Sequence, residues 1–234
     1  MTTLVVRRSV LETIRQPGAW LPGLLLPLLI LVTFAANYGR AGTLLGLPGG
    51  LSYASYVLPG IAALGACYDG IAAGALLTDD LATGYLGRLR VTPARTWVLL
   101  AGPVAAAALQ AIAQSVLFAS VLGVPGGAAR IVLLAAGTAL LAAGVAGLAV
   151  TVGLRTADKE VMESLSYLLF ILMFISSAFF PPSLMRGWFG AAAAHSPLTL
   201  LLDGLRDGHA LPALIVPAVL CAITLPLAGR SIRS

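Results

Sequence analysis

The chain has 234 residues, 59% of them hydrophobic and 10% charged, with a net charge of +5 and a mean hydropathy of +0.97. Soluble domains carry about 25% charged residues, and even a large core leaves much of a chain facing water. These numbers exclude a soluble globular protein and describe an integral membrane protein. The apolar runs are continuous and rich in Leu, Ala and Gly rather than alternating, so the expected fold class is all-α and not a β-barrel.

The first 18 residues read as an amphipathic elbow helix. Leu4, Val6, Val10, Leu11 and Ile14 share one face, while Arg8, Glu12, Arg15 and Gln16 face away and Arg7 interrupts the stripe. Such a helix lies in the membrane interface. Its charges precede any long apolar run and no cleavage site follows, so it is not a signal peptide. Pro17 and Gly18 are expected to break it before the first span.

At about 20 apolar residues per crossing, six spans are expected: 19–37, 54–77, 96–122, 129–153, 161–180 and 210–229. With the N-terminus in the cytoplasm, inner segments hold ten Arg or Lys and outer segments four. The positive-inside rule then puts both termini in the cytoplasm, as an even number of spans requires. Asp69 is the acidic residue well inside a span, at a cost of about 2.5–3.5 kcal/mol. It either pairs with a neighbouring helix or serves substrate passage. Gly70 and Gly74 form a GxxxG spacing that lets helices approach closely. No internal repeat and no soluble domain is visible, so residues 1–234 read as one membrane domain.

Two connections are long. The cytoplasmic loop 78–95 opens with Asp79 and Asp80 and closes with Thr92, Pro93 and Arg95. Between them Leu81, Tyr85, Leu86 and Leu89 fall at helical spacing opposite Arg88 and Arg90. This predicts a short amphipathic helix started by Asp and stopped by Pro93. The other, 181–209, follows the run "SSAFFPPSLMRGWF". Pro181 and Pro182 are expected to end the fifth helix, since proline has no N–H to donate. Trp188 suits the headgroup level, and 198–205 is apolar enough to stay in lipid.

Catalytic signatures are missing. The single lysine, Lys159, follows Asp158, so there is no phosphate-binding G-x-x-x-x-G-K-[ST]; H-E-x-x-H and G-x-S-x-G are absent as well. Cys67 and Cys221 lie in apolar runs and read as small hydrophobes. The scattered basic residues do not mark a nucleic-acid partner. The expectation is a chain that is not an enzyme and holds no metal or cofactor.

Asp80, Gly84, Arg88, Leu89, Thr92 and Pro93 together resemble the coupling-helix loop of ABC-2 type transporter permeases, with aspartate where that family usually has glutamate. Phe179, Phe180, Pro181, Met185, Trp188, Pro197, Leu198, Thr199, Asp203 and Arg206 stand in the order of the family's segment before its last span. The family commonly has Asn-Pro where this chain has His195-Ser196-Pro197. The resemblance covers nearly the whole chain and looks closest to the daunorubicin-resistance-like branch.

The resemblance implies an ABC-2 (type V exporter-like) fold with six transmembrane helices, an N-terminal elbow and re-entrant helices between spans five and six. It implies a permease subunit in the bacterial plasma membrane, paired with a second copy or a homologous permease. Two separate ATPase subunits would bind ATP and Mg. Asp80, Gly84, Tyr85, Leu86, Arg88, Leu89, Thr92 and Pro93 would couple to the ATPase, assisted by Arg8 and Arg15 of the elbow. Asp69, Phe179, Phe180, Pro181, Met185, Trp188 and Pro197 would serve translocation and gating. With 7% aromatic residues and few polar groups in the spans, an amphiphilic drug or lipid fits better than a polysaccharide. The alternatives are a polysaccharide or glycolipid exporter and a secondary transporter that uses no ATPase.

Overall fold

Apolar runs of this length satisfy their backbone in lipid as helices. The structure, a computed structural model, describes residues 17–39, 47, 51–82, 96–122, 126–156 and 158–233. Among the described residues there are eight α-helices, one 3-10 turn and no strand. The helices are α1 (Pro17–Tyr38), α2 (Tyr53–Ala82), α3 (Thr96–Leu122), α4 (Gly127–Thr156), α5 (Lys159–Phe174), α6 (Trp188–Ala194), α7 (Pro197–Asp207) and α8 (Ala210–Arg233). The 3-10 turn is Pro182–Leu184. Four of these helices (α2, α3, α4 and α8) are long and apolar enough to cross a membrane.

Small residues build the centre. α4 packs on α2, α3, α5 and α8, and glycines and alanines at its points of closest approach let α2 and α8 come near. A Cβ at Gly70 of α2 would sit 2.7 Å from the Ala142 carbonyl oxygen and 2.9 Å from the Ala146 nitrogen; Gly74 meets Ala149 and Val150 in the same way. The GxxxG of α2 is therefore a contact with α4 of the same chain. On another face of α4, Gly144 and Gly147 receive Leu220 and Thr224 of α8. Hydroxyls add to this close packing. Thr224 Oγ1 donates to the Gly144 carbonyl at 2.8 Å, and Ser115 of α3 meets Thr138 of α4 at 2.8 Å.

Two expectations are corrected. The fifth helix was expected over 161–180, but α5 stops at Phe174. At 1.5 Å per residue its length is about 24 Å, less than the ~30 Å hydrocarbon core. Pro181 and Pro182 do not end it; residues 175–181 are already non-helical. The second helix was expected to stop at 77, but α2 continues to Ala82. Buried Thr78 returns its hydroxyl to the Gly74 carbonyl and stays in the helix. Asp79 and Asp80 thus lie in the last turn of a helix and not in a first turn, so the expected dipole argument does not apply there. Pro17 and Gly18 are the first residues of α1, where proline's missing N–H costs nothing; the elbow they were expected to separate from the span lies outside the described residues.

Candidate functional site: a cap held by Arg206

The unwound stretch 175–181 and the segment that follows it form a cap over one end of the bundle. At that end α1, α3 and α5 finish and α2, α4 and α8 begin. Its first cause is local. Ser176 Oγ donates to the Met173 carbonyl at 2.6 Å and accepts from the Ala178 N–H at 3.2 Å. Serine side chains that bond nearby backbone compete with the helix ladder.

Unwound backbone at membrane depth must be satisfied by protein, and four side chains do so. Tyr53 and Tyr56, one turn apart on α2, donate their hydroxyls to the Phe179 carbonyl at 3.0 Å and the Ser177 carbonyl at 3.1 Å. Thr199 of α7 accepts from the Ser177 N–H at 2.9 Å and donates to the Ala193 carbonyl at 2.6 Å. Arg206 of α7 does the most. Its Nε donates to the Tyr56 carbonyl at 2.9 Å, and its Nη1 to Ser177 Oγ at 2.7 Å and Asp203 Oδ1 at 2.8 Å. Its Nη2 donates to the Ser177 and Ala178 carbonyls. All five guanidinium N–H groups thus have acceptors.

The guanidinium also lies 3.8 Å from the Tyr56 ring centroid, a cation–π contact. Its side chain is 4% exposed, whereas that of Asp203 is 49% exposed. The single carboxylate is therefore partly screened, and dipoles of carbonyls and hydroxyls do most of the work of holding the charge. The close approach of the cap to α2 needs Gly60, where a Cβ would stand 2.8 Å from the Ala178 oxygen and 2.9 Å from its Cα.

α7 itself is well bounded. Pro197 occupies its first turn, where a missing N–H costs nothing, and Gly208 at φ 78° closes it in the left-handed conformation. Thr199, Leu201, Leu202, Leu205 and Arg206 are buried, while Leu200 and Asp207 face outward. The helix is amphipathic, so only part of its apolar surface is available to lipid. Arg130, near the start of α4, donates to the Asp207 carbonyl at 3.3 Å.

The expected gate residues fall into two places. Phe179 and Phe180 join Phe34 and Tyr38 of α1, Tyr53 of α2 and Phe174 of α5 in an aromatic cluster with centroid separations of 4.7–6.4 Å. Pro181 ends the unwound stretch. Met185 closes the 3-10 turn through a bond from its N–H to the Pro182 carbonyl, and Gly190 packs on the carbonyls of Met185 and Pro182. Trp188 is 75% exposed and stacks edge-on against Phe189.

Asp69 is not with them. It lies 16 residues beyond Tyr53 on α2, about 24 Å along the axis. There it is buried and accepts from Gln114 Nε2 of α3 at 3.0 Å. Gly23 and Gly65 leave room for this pair; a Cβ at Gly23 would lie 3.1 Å from Asp69 Oδ1, and one at Gly65 would overlap Gln114 Oε1.

Of the expected coupling residues, Asp80 belongs to the last turn of α2. Gly84, Tyr85, Leu86, Arg88, Leu89, Thr92 and Pro93 lie outside the described residues, as do Arg8 and Arg15 of the elbow. Sequence reasoning did not assign roles to Tyr53, Tyr56, Gly60, Gln114 or Ser177. The paired serines inside an apolar run, and an Arg three residues after an Asp, were the available signals. Both become meaningful once the helix is known to break there.

A family model described as ABC-2 type transporter matches residues 2–209. The chain belongs to that family. The matched region takes in α1 through α7 and so contains the whole cap. Among curated proteins no match is found. As an ABC-2 family member this chain is a permease subunit of an ABC transporter, which implies an ATPase partner. With its long apolar helices, it is a multi-pass membrane protein.

Proposed function

We propose that this ABC-2 chain is the permease half of an ATP-driven exporter in the bacterial plasma membrane, moving amphiphilic drugs or lipids as in the daunorubicin-resistance-like branch. Six segments cross the bilayer: α1 to α5 and α8, with both termini cytoplasmic. The cap, residues 175–209, then lies at the outer face as a re-entrant element, and the loop 78–95 lies inside.

The observation that carries this reading is the cap itself. It breaks a crossing helix short of its full length and holds the broken backbone through removable hydrogen bonds from α2 and α7. A closed outer gate needs such an element, with two packings of similar free energy. In the mechanism, two permeases face one another as a pair of copies or of homologous chains. Each seats an ATPase on the 78–95 loop, the ATPases bind ATP and Mg, and their closure is transmitted through the loop and the elbow. α2 links the two ends, because Asp80 stands in its last turn and Tyr53, Tyr56 and Gly60 in its first turns. A small rotation of α2 would withdraw both tyrosine hydroxyls from the cap. This chain contributes no bond-breaking chemistry of its own.

The amphiphile reading is favoured over a polysaccharide path. A glycan needs free aromatic faces, whereas the rings of the cap's aromatic cluster pack against one another, most of them tilted. Leu86→Asp with Arg88→Glu is expected to abolish ATPase association and ATP-driven uptake of an amphiphilic dye into inside-out vesicles, with membrane insertion intact. Unchanged association and uptake would remove the coupling assignment.

A further inference from the structure

α5 and α8 both pack on α4 and leave a slot between them. The slot is a cavity of ≈ 400 Å³. Its floor is made by Cys67 of α2 and Val145 of α4, and its sides by Met173 of α5 and Val216 and Leu220 of α8. Leu198 at the start of α7 closes it from the cap side. The slot runs between the last turns of α5, at Leu169, Leu172 and Met173, and the facing side of α8; α5 ends at Phe174, and Pro197 and Leu198 of α7 line the slot's cap end.

The walls are apolar throughout, so an occupant receives no hydrogen bond and must itself be apolar along the inserted length. The mouth opens between Leu172 of α5 and Ile215 and Val219 of α8, which are 39%, 45% and 52% exposed. In a multi-pass membrane protein, apolar faces that no second chain covers meet lipid, and on such a face the slot is continuous with the protein–bilayer interface. A methylene fills a volume close to that of one water molecule in the liquid, ~30 Å³, so the cavity holds an alkyl chain of about a dozen carbons.

We propose that this slot binds one acyl chain of a bilayer phospholipid. The chain enters sideways between α5 and α8 and lies under α7. It completes the packing that α5 and α8 leave open between them, and it places a lipid in contact with Leu198, one residue from Thr199, which holds the unwound backbone. The proposal rests on the slot's lining and on the chain being a multi-pass membrane protein, and does not depend on the exporter reading.

The test uses the full chain reconstituted in phosphatidylethanolamine and phosphatidylglycerol vesicles containing a phosphatidylcholine with a diazirine in mid-acyl chain. After illumination, adducts are mapped by mass spectrometry. Expected is several-fold greater labelling at Leu169, Leu172, Met173 and Val216–Leu220 than at Leu117, an exposed residue of α3 at similar depth outside the slot, and loss of that excess in Val219→Trp, which narrows the mouth. Labelling equal at all exposed residues, which wild-type protein alone can reveal, means ordinary annular lipid and overturns the proposal. So does an excess that survives in Val219→Trp. Efficient disulfide formation between two copies of a Val219→Cys chain would mean that protein covers the slot, and overturns it as well. ATPase association is not needed for any of these readings, so their failure leaves the transport assignment untouched.

Discussion

Arg206 is the residue on which the cap depends. A buried guanidinium in an apolar bundle is tolerable only when its donors are matched, and here five acceptors and a ring face do so. Replacing it leaves the Ala178 carbonyl without the donor it has here, and other buried acceptors under-satisfied. At about 1–3 kcal/mol for each orphaned group, Arg206→Met should destabilise the cap by about 3 kcal/mol, seen as a lower thermal midpoint in detergent and faster proteolysis near residue 177. Arg206→Lys, with three donors in place of five, should fall between. A Met variant as stable and as resistant as wild type would show that the network does not hold the cap.

Asp69 allows a sharper choice. Its Oδ2 and Gln114 Oε1 have no hydrogen-bond partner among the described residues. An asparagine keeps the shape and supplies a donor to the neighbouring amide, so Asp69→Asn should retain expression and transport, whereas Asp69→Leu should lose stability by orphaning Gln114. If the Asn variant is stable and inactive, the carboxylate itself has a role in transport.

At the scale of elements, the sequence reads well where composition alone decides and poorly where distant residues do. The third helix was expected at 96–122 and is found there, and the fourth and sixth differ by a few residues at their ends. Long Leu/Ala runs leave the backbone no alternative in lipid. The GxxxG at Gly70 and Gly74 was visible, but its partner was not, because Ala142, Ala146 and Ala149 lie some 70 residues on and look like any other small residues.

The end of α5 was misread for a related reason. The proline pair is the strongest local breaker, yet the helix stops seven residues before Pro181. Ser176 contributes locally, but the break is held mainly by Tyr53, Tyr56, Thr199 and Arg206, none of which is near it in sequence. Pro181→Ala should therefore leave the break in place. Cysteine accessibility or amide exchange across 175–180 is expected to be unchanged, whereas Ser177→Ala, which removes one Arg206 acceptor, should alter it. Helix extending through 178 in the Pro181→Ala protein would restore the prolines as the cause.

At the scale of the molecule, membership in the ABC-2 type transporter family gives the chain an ATPase partner, and the cap gives a physical account of a gate at the end of the bundle away from Asp80. The central claim is that this chain converts a partner's ATP hydrolysis into movement of α2 and release of the cap. The most direct measurement is gentle purification of the tagged full chain from its own membrane, with the co-purifying proteins identified and counted by mass spectrometry. Ser55, between Tyr53 and Tyr56 on α2, lines a small cavity with Arg206; Ser55→Cys would then be paired with Arg206→Lys to follow thiol labelling beneath the cap with and without ATP. The account predicts a stoichiometric soluble ATPase carrying a Walker A motif, and cap labelling that rises with ATP and rises further in the Lys variant. A chain that purifies alone, with cap labelling indifferent to ATP, would contradict it.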